Sequence, residues 1–354
     1  RNMYPADITG DGYAMAYRAG AKMANMEFIQ AGIGVAHPFI NLFGNYLWEA
    51  NPEIVNAAGE PILKKYMPEN VTEQEILQAK THFPFSTRDP SRFIEIAVQS
   101  ECNLGHGTEH GNMLLHFRNT DFESLFRRNP MFASMWKITY NWHRERGIDL
   151  YRDAVEISCF AHAINGGIWI NEQAESSIAG LFAAGEIAAG PHGADRLGGN
   201  MSVACQVFGE IAGRNAARVA KQQSAYQDVS QESERISDHI AKLRTGSTSD
   251  CDAMLTELLE QSDKYLLIIR NEAGLQTYLQ FLSQLQTEIA KGGGEDCVCR
   301  LLQLENLITT GGLIAEAALA RKESRGSHYR ADYPTISPEF AHPIFLQKNF
   351  KEGA

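Results

Sequence analysis

The spacing of apolar and polar residues changes character several times along the chain. In residues 9–30, TGDGYAMAYRAGAKMANMEFIQ, a Thr-Gly-Asp-Gly turn precedes Ala14, Tyr17, Ala21 and then Met23 or Ala24 at helical spacing. This predicts a turn, a small-residue helix and a strand beginning near Met26. From 31 to about 160 the pattern loosens, with prolines at 38, 52, 61, 68, 84, 90 and 130 and the aromatic clusters FGNYLW and WKITYNWH. An inserted α+β domain fits such short, ambiguous segments. Strand-like runs return in AVEISCFAHAINGG and IWI. Residues 181–184, Leu-Phe-Ala-Ala, read as a short, fully buried strand that Gly185 ends, which places Glu186 at a strand's carboxyl end. The run VACQVFGEIAGRNAARVA has small and apolar residues at helical spacing and no proline, so a buried helix is expected after the glycine loop. Past the polar stretch KQQSAYQDVSQESE, residues 235 to about 322 read as helical throughout, with TGSTSD and KGGGED as loops and an extended tail after Pro334.

Composition narrows the class. The 354 residues suffice for two or three domains of about 100–200 residues each, and 44% hydrophobic with 21% charged residues is ordinary for a globular protein. A formal net charge of −11 argues against nucleic-acid binding, which needs a clustered basic face. No run of about 18 apolar residues occurs, so no membrane span is expected. The opening RNMYPADITGDG has no signal-peptide pattern and no initiator Met, which places the expected start upstream. Cys102, Cys159, Cys205, Cys251, Cys297 and Cys299 show no C-x-x-C pair and no zinc or iron–sulfur spacing, so reduced thiols and no metal are expected.

The stretch GLFAAGEIAAGPHGADRLGGN, residues 180–200, concentrates the candidate chemistry. Gly190, Gly193, Gly198 and Gly199 allow close backbone approach to a ligand, and Arg196 places a permanent positive charge among them. A glycine-lined helix start at Asn200 offers amides and a dipole to an anion, with Asn200 or Ser202 as cap; close strand–helix packing would need the same small residues. Glu186 is a candidate acceptor for ligand hydroxyls.

The segments TGDGYAMAYRAGAKMANMEFIQ, TRDPSRFIEIAVQ, HAINGG, GLFAAGEIAAGPHGADRLGGNMSVACQVFG and RKESRGSHYRADYP occur in the order found in flavoprotein subunits of succinate dehydrogenase and fumarate reductase, and from residue 9 to about 334 the chain resembles that superfamily. L-aspartate oxidase and adenylylsulfate reductase belong to it too. HGADRLGGN preceded by GEIA, and ESRGSHYRADYP, are specific together, whereas TGDG alone is common. The resemblance implies an α/β FAD-binding, Rossmann-like part with an inserted α+β capping domain and a C-terminal helical domain. Residues 1–30 would end the first FAD-domain segment, 31–153 form the capping domain, 154–222 the second FAD-domain segment, 223–334 the helical domain and 335–354 the tail.

Residue by residue, the resemblance implies that Asp11, Gly185 and Glu186 contact FAD, Glu186 at the ribityl hydroxyls, with a turn or cap as the simpler role for Asp11. Asn200, Met201 and Ser202 match the Asn-Ser-Leu beside the flavin ring with the serine displaced by one place, so only their backbone contacts carry over. Arg196 and His162, the latter in HxxxGG, match the groups that bind a substrate carboxylate. Arg88 matches the proton donor or acceptor. An arginine is a poor acid in water, so Asp89 and its neighbours would relay the proton; a surface ion pair is the simpler reading.

Two departures bear on substrate. The family's Gln-Phe-His-Pro-Thr is replaced by Gln30-Ala31-Gly32-Ile33, with His37-Pro38 further on, and FGNYLWEANPEIVNAAGE stands where Thr-Glu-Gly and Gly-Glu-Gly-Gly complete the dicarboxylate pocket. That layout is similar to adenylylsulfate reductase, whereas Arg88-Asp89 and HxxxGG fit the dicarboxylate branch. No G-x-G-x-x-G follows a strand and opens a helix; Gly105-His106-Gly107 has neither the third glycine nor the context. The resemblance therefore implies that a truncated or cleaved segment, or a second polypeptide, carries the pyrophosphate site. It further implies a small carboxylate substrate, transfer of electrons to an iron–sulfur subunit in the respiratory members, and a cytoplasmic protein or one peripheral at the inner face of a membrane. The alternative class is a non-catalytic accessory flavoprotein half.

Overall fold

A computed structural model describes residues 1–5, 7–222, 228–246 and 250–348. Parts of the expected linker at 221–234, of the loop TGSTSD and of the tail lie outside the described residues. In chain order the strands are β1 (Met23–Ala24), β2 (Ile29–His37), β3 (Asn41–Leu42), β4 (Glu53–Val55), β5 (Met113–His116), β6 (Val155–Ile164), β7 (Gly167–Trp169), β8 (Ala188–Ala189), β9 (Ile269–Arg270), β10 (Tyr329–Arg330) and β11 (Phe345–Leu346). The helices are α1 (Asp11–Arg18), α2 (Glu73–Gln78), α3 (Phe93–Asn103), α4 (Phe122–Arg128), α5 (Pro130–Arg144), α6 (Asn200–Gln222), α7 (Ser230–Thr245), α8 (Cys251–Leu266), α9 (Glu272–Ile289) and α10 (Val298–Ala320). They fall into two compact units: residues 1–3 with 30–162, and residues 4–29 with 163–354.

The first unit is built on a five-stranded sheet of order β3-β2-β6-β5-β4. Its registers pair Met113 with Ile157, Leu114 with Glu156 and Ile54 with Leu115. Gly32 is required in β2 because a Cβ there would stand 2.6 Å from the carbonyl oxygen of Phe83. The Phe85 amide donates to the Ala31 carbonyl, so the loop after α2 lies directly on the strand. Helix α5, which the ambiguous aromatic pattern did not reveal, is started by the Asn129 side chain and Pro130 at its first position. It buries Phe132 and Trp136, and the Trp136 indole donates to the Tyr151 hydroxyl at 2.8 Å.

The second unit carries a four-stranded sheet of order β11-β1-β7-β8, antiparallel across β1 and parallel between β7 and β8. Gly166 and Gly167 are dictated by backbone approach. A Cβ on the first would stand 2.1 Å from the Asn25 carbonyl oxygen, and on the second 2.1 Å from that of Ile187. In α9, Leu275, Tyr278, Leu282, Leu285 and Ile289 recur at three- and four-residue spacing and pack into one core with Leu301, Leu304 and Ile308 of α10.

Several expected elements change. Residues 181–184 form no strand beyond a single bridge from Phe182 to Glu175, so Glu186 sits in a 3₁₀ turn, Gly185–Ile187, that leads into β8. The chain turns because Gly185 takes φ +82°, a left-handed conformation. The first strand is β1, ahead of Met26, and β2 begins at Ile29. Helix α6 forms as expected but is not buried: Ala204 alone is buried among its residues, and Val203 is 60% exposed. The helical region is broken at β9, and part of the tail pairs with β1 as β11.

The segment after α10 holds a cluster of buried charges that hydropathy cannot anticipate. Arg321 Nε lies 2.5 Å from Glu27 Oε1, and its Nη1 lies 3.0 Å from Glu323 Oε1; all three side chains are at most 1% exposed. Arg270 Nη1 donates to His328 Nδ1 at 2.8 Å and to the Glu27 carbonyl at 2.6 Å. Arg330 grips Asp332 with two bonds of 2.7 Å. Burial pushes the Arg270 guanidinium down to about 10 and, with the Arg270 charge, holds the His328 imidazole well below its ordinary value.

Candidate functional site

In the second unit the site residues are assembled around the loop from Gly185 to Gly199. The Ile164 amide donates to Glu186 Oε1 at 3.0 Å, and the Tyr13 hydroxyl donates to the Glu186 carbonyl at 3.1 Å. Oε2 of this exposed carboxylate has no hydrogen bond among the described residues, which leaves it an available acceptor. Burial, followed by the Glu186 charge, raises the Tyr13 phenol and keeps it a donor. Tyr4 is raised by the same two causes and opposed by Arg196, so it lies within the field of both groups.

Arg196 is only 7% exposed although its charge is permanent, and its Nη1 donates to the Leu197 carbonyl at 3.1 Å. Beside it, His192 Nε2 is buried without a hydrogen-bond partner, and burial together with the Arg196 charge lowers the imidazole. The loop's position is fixed from another motif. Ser327 N donates to the Ala194 carbonyl at 3.1 Å, and a Cβ on Gly326 would stand 2.2 Å from that oxygen. HGADRLGGN and ESRGSHYRADYP, specific together in the sequence, are thus in direct contact.

Several residues here fit a flavin. A Cβ built on Gly193, Gly198 or Gly199 meets nothing within 4 Å, so these positions line open space rather than a packed contact. Helix α6 opens at Asn200, an exposed amide end of the kind that receives anions. Met201 is half-buried and Ser202 exposed, with the Ser202 amide turned onto the Gly199 carbonyl at 3.2 Å. Asp11 is less well suited: its Oδ1 already accepts from Thr9 and Asn306, both at 2.7 Å, which matches its simpler role at a turn.

The first unit holds the remaining site residues. Arg88 is exposed, and its amide reaches Ser86 Oγ at 3.4 Å. Asp89 accepts from the Ser91 amide at 2.8 Å, and its other carboxylate oxygen lies 3.3 Å from His82 Nε2. The polar partner of Asp89 is therefore a histidine that sequence spacing did not single out. Phe83 in the same segment meets the His162 ring edge to face, with centroids 5.1 Å apart. His37, the displaced histidine of the sequence pattern, stacks instead on His110. Sequence reasoning also passed over His192; its place inside the quoted glycine loop was the available signal.

Comparisons with known proteins bear on this arrangement. Residues 2–202 match the FAD binding domain family, and residues 255–349 match the family described as fumarate reductase flavoprotein C-term. An uncharacterized FAD-dependent oxidoreductase of Methanocaldococcus jannaschii is 31% identical over 97% of this chain and 60% of its own length. A fumarate reductase (CoM/CoB) chain of Methanothermobacter marburgensis is 30% identical over the same shares, 97% and 60%. Among solved structures, Mycobacterium smegmatis Sdh1 in complex with UQ1 superposes with a TM-score of 0.78 at 25% identity, covering 99% of this chain and 59% of that one. The chain thus spans about 60% of the length of these relatives. No helix among the described residues is long and apolar enough to cross a membrane.

Proposed function

The chain belongs to the FAD-binding family of succinate dehydrogenase and fumarate reductase flavoproteins, and on that premise we propose that it takes part in reversible oxidation of a small carboxylic acid of the succinate or fumarate kind. The observation that carries the reading is a buried, permanently charged Arg196 beside the unpartnered nitrogen of His192, on a loop whose glycines line open space. A guanidinium grips a planar carboxylate with two parallel hydrogen bonds, and an imidazole beside it adds a further donor.

FAD supplies hydride transfer at its N5. Glu186 would accept from its ribityl hydroxyls, and Gly185 with the backbone of Asn200, Met201 and Ser202 would border its ring. Asp11 supports the turn beside it. Arg196 and His162 bind and orient the carboxylate, with His192 as a further donor. Arg88 moves the proton at the substrate carbon, with Asp89 held by His82 behind it. These 354 residues contain no G-x-G-x-x-G, so the pyrophosphate is held by a segment outside them. The exposed face of α6 and the edge strand β8 support a partner polypeptide carrying that segment, and an iron–sulfur subunit is the electron partner in this reading. The reading places the protein in the cytoplasm or peripherally at the inner face of a membrane.

In a flavin-loaded preparation, Arg88→Gln should lower kcat about 10²- to 10⁴-fold with little change in KM, as loss of a proton-transfer group does. Steady-state kinetics with succinate, fumarate, L-aspartate and adenylylsulfate as candidate substrates measure this and select among the branches. Unchanged kcat in the variant would remove Arg88 from the mechanism. A chain inert toward all four would favour the accessory role instead.

A further inference from the structure

The loop GHGTEHGN, residues 105–112, serves none of the groups above, yet it is built with unusual constraint. Its Thr108 amide donates to the Asn112 carbonyl and its Gly111 amide to the Thr108 carbonyl, both at 2.8 Å. Gly111 adopts φ +73°, and a Cβ on Gly107 would stand 2.5 Å from the Gly111 carbonyl carbon. The loop closes on itself and holds His110 next to Glu156 of β6, with His110 Nδ1 3.0 Å from Glu156 Oε1. The other carboxylate oxygen accepts from Thr108 Oγ1 at 2.7 Å and Asn112 Nδ2 at 2.8 Å. His37, at the end of β2, brings a second imidazole face to face with His110, centroids 4.0 Å apart and planes 16° from parallel. One ligand atom from each of the three residues lies within 4.8 Å of the other two.

We propose that His37, His110 and Glu156 form a binding site for a divalent transition-metal ion of the zinc class. Two imidazoles select zinc, cobalt or nickel over calcium and magnesium, and all three of those ions also accept a carboxylate. Two ligands each about 2.0–2.1 Å from a tetrahedral ion stand about 3.3 Å apart, so the 3.0 Å between His110 and Glu156 needs only slight widening. The stacked rings must turn out of parallel for their in-plane lone pairs to meet one ion, and both are exposed, so the turn needs no repacking of the core. Water completes the coordination. Thr108 and Asn112 are the outer partners that fix the carboxylate, the arrangement by which proteins orient metal ligands. Spacing along the chain cannot reveal this site, because its ligands come from three separate segments.

The test is calorimetric titration of ZnCl2 into the tag-free full chain, stripped with chelator and with its cysteines alkylated, alongside the visible absorption of added Co2+. One equivalent of each metal should bind. His37→Ala, His110→Ala and Glu156→Gln should each weaken binding by about tenfold or more, and Thr108→Val several-fold, with far-UV circular dichroism unchanged. Absence of stoichiometric binding, or a His37→Ala/His110→Ala double variant that binds zinc as tightly as the parent, would overturn the proposal. If a histidine variant loses its fold, Thr108→Val, which keeps all three ligands, decides it: unchanged affinity there counts against a built site.

Discussion

Arg196→Ala is expected to abolish carboxylate turnover while leaving the flavin absorbance in place. Arg196 is 7% exposed and sits among glycines that offer no other cation in the loop. Truncating one partner of a buried, hydrogen-bonded charge pair costs about 2–5 kcal/mol, which corresponds to a loss of roughly 30- to 5,000-fold in kcat/KM. Arg196→Lys should recover only part of it, because an ammonium cannot make two parallel bonds to one carboxylate. Flavin should remain bound, since the contacts assigned to it are made by Glu186 and backbone. The check is kcat/KM together with the flavin spectrum of the same sample; normal turnover in Arg196→Ala would show the site assignment to be wrong.

The second large effect is on stability. Arg321→Ala would leave the fully buried Glu27 carboxylate without the cation bonded to it, and Glu323 with Arg325 alone. Breaking a buried pair in this way costs about 3–5 kcal/mol, a large share of the 5–15 kcal/mol that keeps a domain folded. Urea unfolding should show the midpoint collapsing, and a change under about 1 kcal/mol would contradict the assigned network. The same cluster sets a pH dependence. His328 is held neutral well below its ordinary value by burial and by Arg270, whereas the unfolded chain takes up that proton near pH 6.5. The folded value being depressed, its contribution is complete above about pH 6.5 and is lost as pH falls below it, at about 1.4 kcal/mol per pH unit. His328→Gln should flatten that part of the unfolding profile between pH 6.5 and 5.5.

Much of the architecture was legible because it rests on local rules. The helix expected after the glycine loop forms as α6, and the run read as helical from 235 to about 322 holds most of α7 and all of α8, α9 and α10. Where the reading failed, the deciding force was not local. Residues 181–184 look like a buried strand, but the left-handed Gly185 and the short β8 beyond it leave them only a bridge. The small residues of α6 describe a face that can be packed closely; whether anything covers it is not written in them, and Val203 and Val207 lie 60% and 47% exposed. Charged residues are read as surface, so Arg270, Arg321 and Arg330, each at most 1% exposed, could not be placed by composition. At the candidate site, Arg196 and Glu186 were visible through a motif. His192 lay inside that same glycine loop but was singled out by its orphaned nitrogen, and the His82 to Asp89 pairing only by a folded loop.

Anaerobic titration of the flavin-loaded protein with succinate, and of its reduced form with fumarate, tests the central claim most directly. The account predicts that the oxidised-flavin absorbance bleaches with succinate and returns with fumarate, and that Arg196→Ala does neither. A flavin that dithionite reduces, but that no carboxylate of this class reduces or reoxidises, would contradict it.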